Sequence, residues 1–341
     1  MAKSLSTLLK KRISSINILP KRRKNLLGKN TLIFSAGANE PLARQVANSF
    51  DMELSPVERL TFPNGEVYVR FPESVRRKEA IVIQSHQPPI NDNLMQALIM
   101  IEALTRSGVR SVTVGASVLP YSKQDRQKNS LREPISSALV ARLFEAAGMN
   151  NQMATVELHD ERIKGFYTKP VVNEWTTDLF LADIKDRYTG NLVFCAPDLG
   201  AGPKVRYASK TTKIPFVLME KIRDESKKVD EIILLGDVRG KDVIILDDMV
   251  DTGGTLIKAV NELYERGAKS VVVYAAHAWL SLKDGIDPVD LMKASPLKEV
   301  VFTDTIEHVW KKAEQSNGKI RVISSQPLLH AALIKTNGAV R

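Results

Sequence analysis

The chain has a single cysteine, Cys195, among its 341 residues. One thiol cannot form an internal disulfide, and sparse cysteine use is typical of proteins from reducing compartments. No apolar run approaches the roughly 20 residues of a membrane-spanning helix, and no spacing of cysteine and histidine matches a zinc site. These absences exclude a disulfide-stapled or zinc-organised fold, and they predict that the protein has no membrane partner.

Outside the first 30 residues, the chain also lacks an excess of either sign of charge. Residues 1–30 hold nine of the 49 lysines and arginines and no acidic residue, which leaves 40 basic against 39 acidic residues in the rest of the chain. The net charge of +10 therefore belongs to the tail. No aromatic RNA-binding motif accompanies it, so we expect no nucleic-acid partner.

The basic segment 1–30 supports two interpretations. Its apolar residues recur at helical spacing between lysines, and no acid occurs before Glu40. This pattern is typical of a mitochondrial or plastid transit peptide. It fits equally well a disordered basic extension on a cytoplasmic protein.

Strand and helix patterns alternate from Thr31 onward. Short β-branched runs predict strands at residues 80–85, 111–117, 192–196, 216–219, 242–246 and 270–275. Apolar residues at helical spacing predict helices at residues 93–107, 134–148, 204–209, 255–266 and 326–334. This alternation predicts an α/β protein with mainly parallel sheets flanked by helices. Its length suits two domains, 31–165 and 166–324, with 325–341 packing back on the first.

The stretch VIILDDMVDTGGTL, residues 243–256, joins a predicted strand to a predicted helix. Asp247 and Asp248 are expected at the carboxyl end of the strand, where open parallel sheets bind their ligands. Carboxylates suit hydroxyl groups, which donate hydrogen bonds to them. The residues that follow suit a phosphate, because they combine amides, hydroxyls and close backbone approach at a helix start: Asp251, Thr252, Gly253, Gly254 and Thr255. A ligand with both features is a sugar phosphate.

The same stretch resembles the ribose-phosphate-binding signature of the phosphoribosyltransferase superfamily. Other stretches are similar to the ribose-phosphate pyrophosphokinase (phosphoribosyl pyrophosphate synthetase) family: FPNGEVYVRFPESVR, IVIQSHQPPINDNLMQALIMIEAL, YSKQDR, REPISSALVARLFEAAG, LHDERIKGFY and APDLGAG. They run in the family's order between Thr31 and Ile334. The resemblance implies two phosphoribosyltransferase-like domains, the second of which binds ribose 5-phosphate.

The implied reaction is transfer of diphosphate from ATP to the C1 hydroxyl of ribose 5-phosphate, which gives phosphoribosyl pyrophosphate and AMP for nucleotide biosynthesis. By the family's pattern, Asp247 and Asp248 hold the ribose hydroxyls, and the loop from Asp251 to Thr255 holds the 5-phosphate. His159 and Asp198 match the family's Mg²⁺ ligands. Such transfer depends on neutralising the phosphate charge and on in-line alignment of the attacking and leaving oxygens.

Two further groups of residues match the family's motifs. Lys221 and Arg223 match its catalytic Lys-x-Arg pair, and the polar composition of residues 219–230 predicts that they lie on a mobile loop. The resemblance also implies six ATP contacts: Phe62, Asn64, Glu66, Lys123, Gln124 and Arg126. In the family Phe62 and Glu66 reach the neighbouring subunit's site. A homo-oligomer, dimer or hexamer, with a shared ATP site is therefore implied.

The chain also departs from the family's usual pattern. Asn64 stands where Asp is usual, Lys123 where Arg is usual, Leu199-Gly200-Ala201 where His-Gly-Gly is usual, and Glu157 where Asp is usual. These changes bear on nucleotide selectivity and regulation. Two alternatives to the enzyme remain, namely a non-catalytic regulatory relative and a base-transferring phosphoribosyltransferase. The first would be expected to lose the ribose loop or metal ligands, and the second lacks such an N-terminal half.

Overall fold

The computed structural model describes residues 27–28, 30–127, 132–223 and 229–336, and the side chains of 221–223, 229–231 and 336 lie outside that description. The described residues form two compact units. The N-terminal unit runs to Trp175 and also includes Thr305–Glu307 and residues 324–336; the C-terminal unit comprises Thr176–Asp304 and His308–Ile323. The division lies beyond the boundary predicted at residue 165, because the strand after that point joins the first sheet. The predicted N-terminal extension lies almost wholly outside the described residues.

The N-terminal unit is built on a five-stranded parallel sheet. In chain order the strands of this unit are β1 (Thr31–Ser35), β2 (Glu58–Thr61), β3 (Val67–Arg70), β4 (Glu79–Ser85), β5 (Ser111–Val118), β6 (Gln152–Val156) and β7 (Val171–Glu174). The sheet order is β1-β4-β5-β6-β7, and β2 and β3 form a separate antiparallel hairpin. Among the described residues, the helices before β6 are α1 (Glu40–Ser49), α2 (Ile90–Arg106) and α3 (Ser136–Ala147).

The C-terminal unit is built on a seven-stranded sheet in the order β10-β9-β8-β11-β12-β13-β14. Its strands are β8 (Leu192–Ala196), β9 (Phe216–Arg223), β10 (Val229–Leu235), β11 (Asp242–Val250), β12 (Ser270–Ala278), β13 (Glu299–Thr303) and β14 (Ile320–Ile323). Its helices are α4 (Thr177–Arg187), α5 (Gly202–Thr212), α6 (Gly254–Glu265), α7 (Pro288–Ala294) and α8 (Val309–Glu314). The pairings are parallel except that between β9 and β10.

Apolar side chains cover both faces of each sheet. In the C-terminal unit, α4 and α5 bury one face and α6, α7 and α8 bury the other. In the N-terminal unit, α2 and α3 cover one face. On the opposite face Leu329 and Leu333, from the last helix α9 (Gln326–Thr336), pack beside Gly115 of β5. The predicted α/β class with two mainly parallel sheets flanked by helices is confirmed.

Two of the differences between the predicted segments and the structure bear on the candidate site. The predicted loop at residues 219–230 was wrong for Lys221 and Arg223, which lie on β9 and pair with Ile232 and Val229 of β10. The polar composition instead belongs to a strand next to the edge strand β10 of the sheet. The strand predicted at residues 242–246 continues to Val250, because its pairing with β12 extends that far.

None of the helices in the described part of the chain combines the length and hydropathy that a bilayer crossing requires.

Candidate functional site

The acidic pair of the C-terminal unit lies where two neighbouring strands stop being paired. The pairing of β11 with β8 ends at Ile245 and Cys195, whereas its pairing with β12 continues to Val250. Asp247 and Asp248 therefore extend beyond the end of β8. They lie at the carboxyl ends of the strands, where the loop with Asp198 also begins. The carboxyl ends of parallel strands are the usual position of a ligand.

Negative charge accumulates at this edge. The Asp248 N–H donates to Asp247 Oδ1 at 2.9 Å. Burial, followed by the negative charges of Asp248 and Asp198, raises the pKa of Asp247 well above its usual range, whereas the Lys204 ammonium acts in the opposite direction. Lys204 itself is only 7% exposed. Like charges held this close are suited to a ligand that brings hydroxyl donors or cations.

The loop between β11 and α6 ends in a glycine that no other residue replaces without strain. Gly253 is the N-cap of α6, with φ 76° and ψ −21°, and a Cβ there would lie 3.3 Å from the Cβ of Pro288. Side chains other than glycine rarely adopt this backbone conformation. Gly254 has open space around it, and Thr255 is exposed. Backbone amides at such a helix start form an anion site.

Asp198 follows β8 on an exposed turn. Its Oδ1 accepts a hydrogen bond from the Ala201 N–H at 3.1 Å. Among the described residues, no group of three or more His, Cys, Asp and Glu side chains could hold a metal ion. Mg²⁺ is commonly held by one or two carboxylates, several waters and the substrate's phosphates. An exposed carboxylate such as Asp198 fits that kind of site.

In the N-terminal unit, the loops after β5 and β6 are tied together. Lys123, Gln124 and Arg126 lie in the first loop and are exposed. The Gln124 Oε1 accepts from Ser136 Oγ at 2.6 Å, which attaches this loop to the start of α3. Asp125 is 8% exposed and accepts from Arg162 Nη2 of the second loop at 3.3 Å.

The loop after β6 carries His159, which is exposed. Asp160, next in sequence, accepts from the Arg162 N–H and Nε, both at 2.9 Å, and from Nη2 at 2.5 Å. The Arg162 hydrogen bond is the largest cause that lowers the pKa of Asp160 to about 2. In contrast to the acids at the end of β11, this one is neutralised within the protein.

Phe62, Asn64 and Glu66 lie in the turn of the β2–β3 hairpin, where residues 61–66 are all exposed. The Phe62 N–H donates to Glu66 O at 2.8 Å, and Asn64 Oδ1 accepts from the Glu66 N–H at 3.1 Å. The Phe62 ring meets the Tyr68 ring edge-on at 6.0 Å. An exposed ring on a short hairpin can stack on a flat ligand.

The candidate residues are thus divided between the two units. Those of the hairpin, the β5 loop and the β6 loop belong to the N-terminal unit, and Asp198, the acidic pair and the glycine loop belong to the C-terminal unit. Lys221 and Arg223 have a described backbone in β9 of the C-terminal unit, and their side chains lie outside the description.

Sequence analysis missed three residues of these clusters, namely Lys204, Arg162 and Asp125. A signal for Lys204 was present, because it shares a face of α5 with the buried Val205 and Ala208. A lysine on an apolar helix face is rarely buried without an ionic partner. Arg162 and Asp125 are 37 residues apart, and nothing local links them.

Comparison with known proteins bears on most of the chain. Residues 31–148 match the family described as the N-terminal domain of ribose phosphate pyrophosphokinase, and residues 202–337 match the phosphoribosyl synthetase-associated domain. The ribose-phosphate pyrophosphokinase of Campylobacter jejuni is 38% identical over 296 residues, which span 87% of this chain and 92% of that protein. That of Hyphomonas neptunium is 39% identical over 303 residues, or 88% and 95% of the two chains.

A solved structure agrees in fold. The phosphoribosylpyrophosphate synthetase from Mycobacterium smegmatis superposes with a TM-score of 0.81 and 35% identity, and the match covers 90% of this chain and 98% of that one. Both units are therefore included in the similarity. The chain belongs to the ribose-phosphate pyrophosphokinase family.

Proposed function

We propose that this chain is a ribose-phosphate diphosphokinase, which transfers diphosphate from Mg-ATP to the C1 hydroxyl of ribose 5-phosphate and releases phosphoribosyl pyrophosphate and AMP. The observation that carries the proposal is the acidic end of β11 followed at once by the glycine loop and the start of α6. That juxtaposition suits a phosphorylated sugar, and it occurs in a chain whose similarity to synthetases extends over both units.

The acceptor occupies the C-terminal unit in this proposal. Asp247 and Asp248 accept hydrogen bonds from the ribose hydroxyls. Asp251, Thr252, Gly253, Gly254 and Thr255 surround the 5-phosphate with backbone amides and two hydroxyls. The helix start contributes partial positive charge, which favours a phosphate group over a neutral sugar.

The donor is ATP, whose adenine stacks on Phe62 while Glu66 accepts from its exocyclic amine. Asn64, Lys123, Gln124 and Arg126 make further nucleotide contacts. The Asn64 oxygen accepts from the Glu66 amide, so its amide nitrogen is the group that faces the ligand. Because Phe62 stands on an exposed hairpin, we extend the proposal to a homo-oligomer in which the hairpin completes a neighbour's ATP site.

The transfer forms a bond between the C1 oxygen and the β-phosphorus and breaks the bond from that phosphorus to the α,β-bridging oxygen, so AMP leaves. Asp198 and His159 are the residues that would each serve as a Mg²⁺ ligand, and the ion would supply charge neutralisation on the phosphates. Lys221 and Arg223 stabilise charge that develops on the transferred group. Lys204 keeps the acidic edge from repelling the sugar phosphate.

The test is an assay of the purified full chain with ATP, Mg²⁺ and ribose 5-phosphate, in which AMP and ADP are separated chromatographically. We expect AMP and phosphoribosyl pyrophosphate in equal amounts. ADP as the only nucleotide product would make the protein a simple kinase. No nucleotide product at all, from a protein that is folded and binds ATP, would support a non-catalytic relative.

A further inference from the structure

The loop that carries His159 is held in an unusual conformation. Glu157 directly follows β6 and adopts φ 50°, although it is neither glycine nor asparagine, and it is only 4% exposed. Its N–H donates to Glu174 O at 3.0 Å. Strain of this kind persists only where the surroundings enforce it, and it is concentrated at functional sites.

His159 lies between two buried anchors. Leu158 is 7% exposed and Ile163 is 2% exposed, and both belong to the core of the N-terminal unit. The backbone on either side of His159 is therefore held by core packing, while the imidazole ring remains exposed. Such an arrangement restricts where the ring can lie.

Asn173 on β7 connects this segment to a carboxylate. Its Oδ1 accepts from the Leu158 N–H at 3.1 Å, and its Nδ2 donates to Glu161 Oε1 at 2.6 Å. Trp175 Nε1 donates to the same Glu161 oxygen at 2.8 Å, and Lys164 forms an ion pair with the other oxygen. Glu161 thereby determines which end of the Asn173 amide faces Leu158.

We propose that Asn173 is a positioning residue for His159 and that Glu161 orients it. The amide holds the backbone immediately before His159, and the Glu161 carboxylate prevents the amide from turning over. The kinetic part of this inference rests on the proposed function, in which His159 binds the Mg²⁺ of Mg-ATP. Groups that orient a metal ligand typically change metal affinity or activity by about 10- to 100-fold when they are removed.

The chemistry of the pair permits a reversal experiment. Asn173→Asp keeps the oxygen that accepts from Leu158 but sets a second carboxylate against Glu161. Glu161→Gln keeps an acceptor for Trp175 and Asn173 and should have little effect alone. In the double variant, the new glutamine amide donates to the new aspartate, so the connection to Asn173's position is restored with donor and acceptor exchanged, while the hydrogen bond from Trp175 Nε1 is lost. Asp290→Asn, in the exposed Asp290–Lys293 pair, is the matched control.

Two measurements read out the position of His159. In the first, protein with ¹³C-labelled histidine is titrated with Mn-ATP without ribose 5-phosphate, and paramagnetic broadening of the His159 signal, assigned with His159→Gln, is followed. In the second, the Mg²⁺ concentration for half-maximal activity is measured beside kcat and the thermal melt. We expect Asn173→Asp to raise that concentration by at least about tenfold and to weaken the broadening. The double variant should recover part of both effects.

Metal half-saturation and broadening of Asn173→Asp within twofold of the original protein would overturn the inference, as would failure of the double variant to recover either one. A lower melting temperature with unchanged broadening would likewise reduce Asn173 to a purely structural role. The broadening does not require turnover. Loss of broadening in Asn173→Asp from a protein that never makes AMP would refute the proposed function and leave this inference intact.

Discussion

Both units place acidic side chains at the same topological position, the carboxyl ends of parallel strands. Their surroundings shift the pKa of these side chains in opposite directions. At the end of β6, Arg162 neutralises Asp160 and lowers its pKa to about 2. At the end of β11, burial and the neighbouring acids raise the pKa of Asp247. The first carboxylate is neutralised by an arginine of the protein itself, whereas the second lies beside further acids, as is common at functional sites.

The difference separates two ways in which the candidate site residues are held. The N-terminal unit fixes exposed side chains such as His159 and Arg126 on loops braced by ion pairs. The C-terminal unit leaves acidic groups and backbone amides beside a glycine turn, so its geometry is provided by the main chain. We expect substitutions in the two units to differ in sign as well as in size.

The largest effect is expected from Lys221→Ala. In our proposal its cation meets charge only in the transition state, so kcat should fall by at least about a hundredfold, on the scale found for single charge-stabilising groups. KM for ATP should change little, since the ground state is not affected. Steady-state kinetics beside a thermal melt provides the measurement.

Lys210→Ala, at an exposed position of α5, is the control for loss of a lysine from the same unit. A Lys221→Ala variant with near-normal kcat would show that catalysis does not depend on the Lys221 cation. The proposed catalytic role would then fail.

Adjacent glycines provide the second prediction. Gly253→Ala forces a side chain into φ 76° beside Pro288, so it should lower the free energy of unfolding by about 1–2 kcal/mol. The same variant should raise KM for ribose 5-phosphate roughly tenfold, since a misplaced loop loses about 1.4 kcal/mol of binding. Urea denaturation and kinetics measure the two effects separately.

Gly254→Ala is the matched control for stability, because its backbone is not left-handed and the space around it is open. We expect it to unfold at the same urea concentration as the original protein or a higher one. Equal destabilisation of both variants would mean that the turn conformation at Gly253 carries no special cost.

The third prediction tests the comparison directly through the same chemical change in both units. The folded pKa of Asp160 is depressed, so its ionised form stabilises the fold above its ordinary value of 3.8, and that contribution is lost as the pH falls toward about 2. Asp160→Asn should therefore cost about 1 kcal/mol at pH 7, after allowance for solvent screening of Arg162. The cost should shrink below pH 4.

For Asp247 the sign is reversed. Its folded pKa is raised, so its stabilising contribution exists at low pH and is lost as the pH rises through that raised value. Asp247→Asn should therefore stabilise the ligand-free protein at pH 7. Urea denaturation of both variants at pH 7, 5 and 4 in metal-free buffer measures this, and a shift of the same sign in both would break the comparison.

The smallest effect is expected from removal of residues 1–29. The charge of that segment is local and the first strand begins at Thr31, so kcat and KM should remain within about twofold of the full chain, a difference below about 0.5 kcal/mol. Parallel assays of the two proteins decide it. A truncated protein that folds but is inactive would show that the segment contributes to the site or to assembly.

The sequence predicted the parts of the molecule whose pattern is local. Residues 192–196 were predicted as a strand and form β8 with the same bounds, because an apolar run between turn residues has few alternatives. The glycine loop was equally predictable, since a buried strand, a left-handed glycine and a helix start are consecutive in the chain. Errors arose where polar composition was taken for a loop, as at Lys221 and Arg223.

Tertiary structure alone decided how separate loops meet. The Lys204 ammonium acts to lower the pKa of Asp247 because α5 packs on the sheet that contains β11. Asn173 reaches Leu158 because β7 lies beside β6. Strand order and register set these meetings, and both depend on packing summed over the entire sheet. A sequence specifies which groups are available for binding and catalysis, and the sheet determines which of them are close enough to shift one another's pKa or to hold a histidine in place.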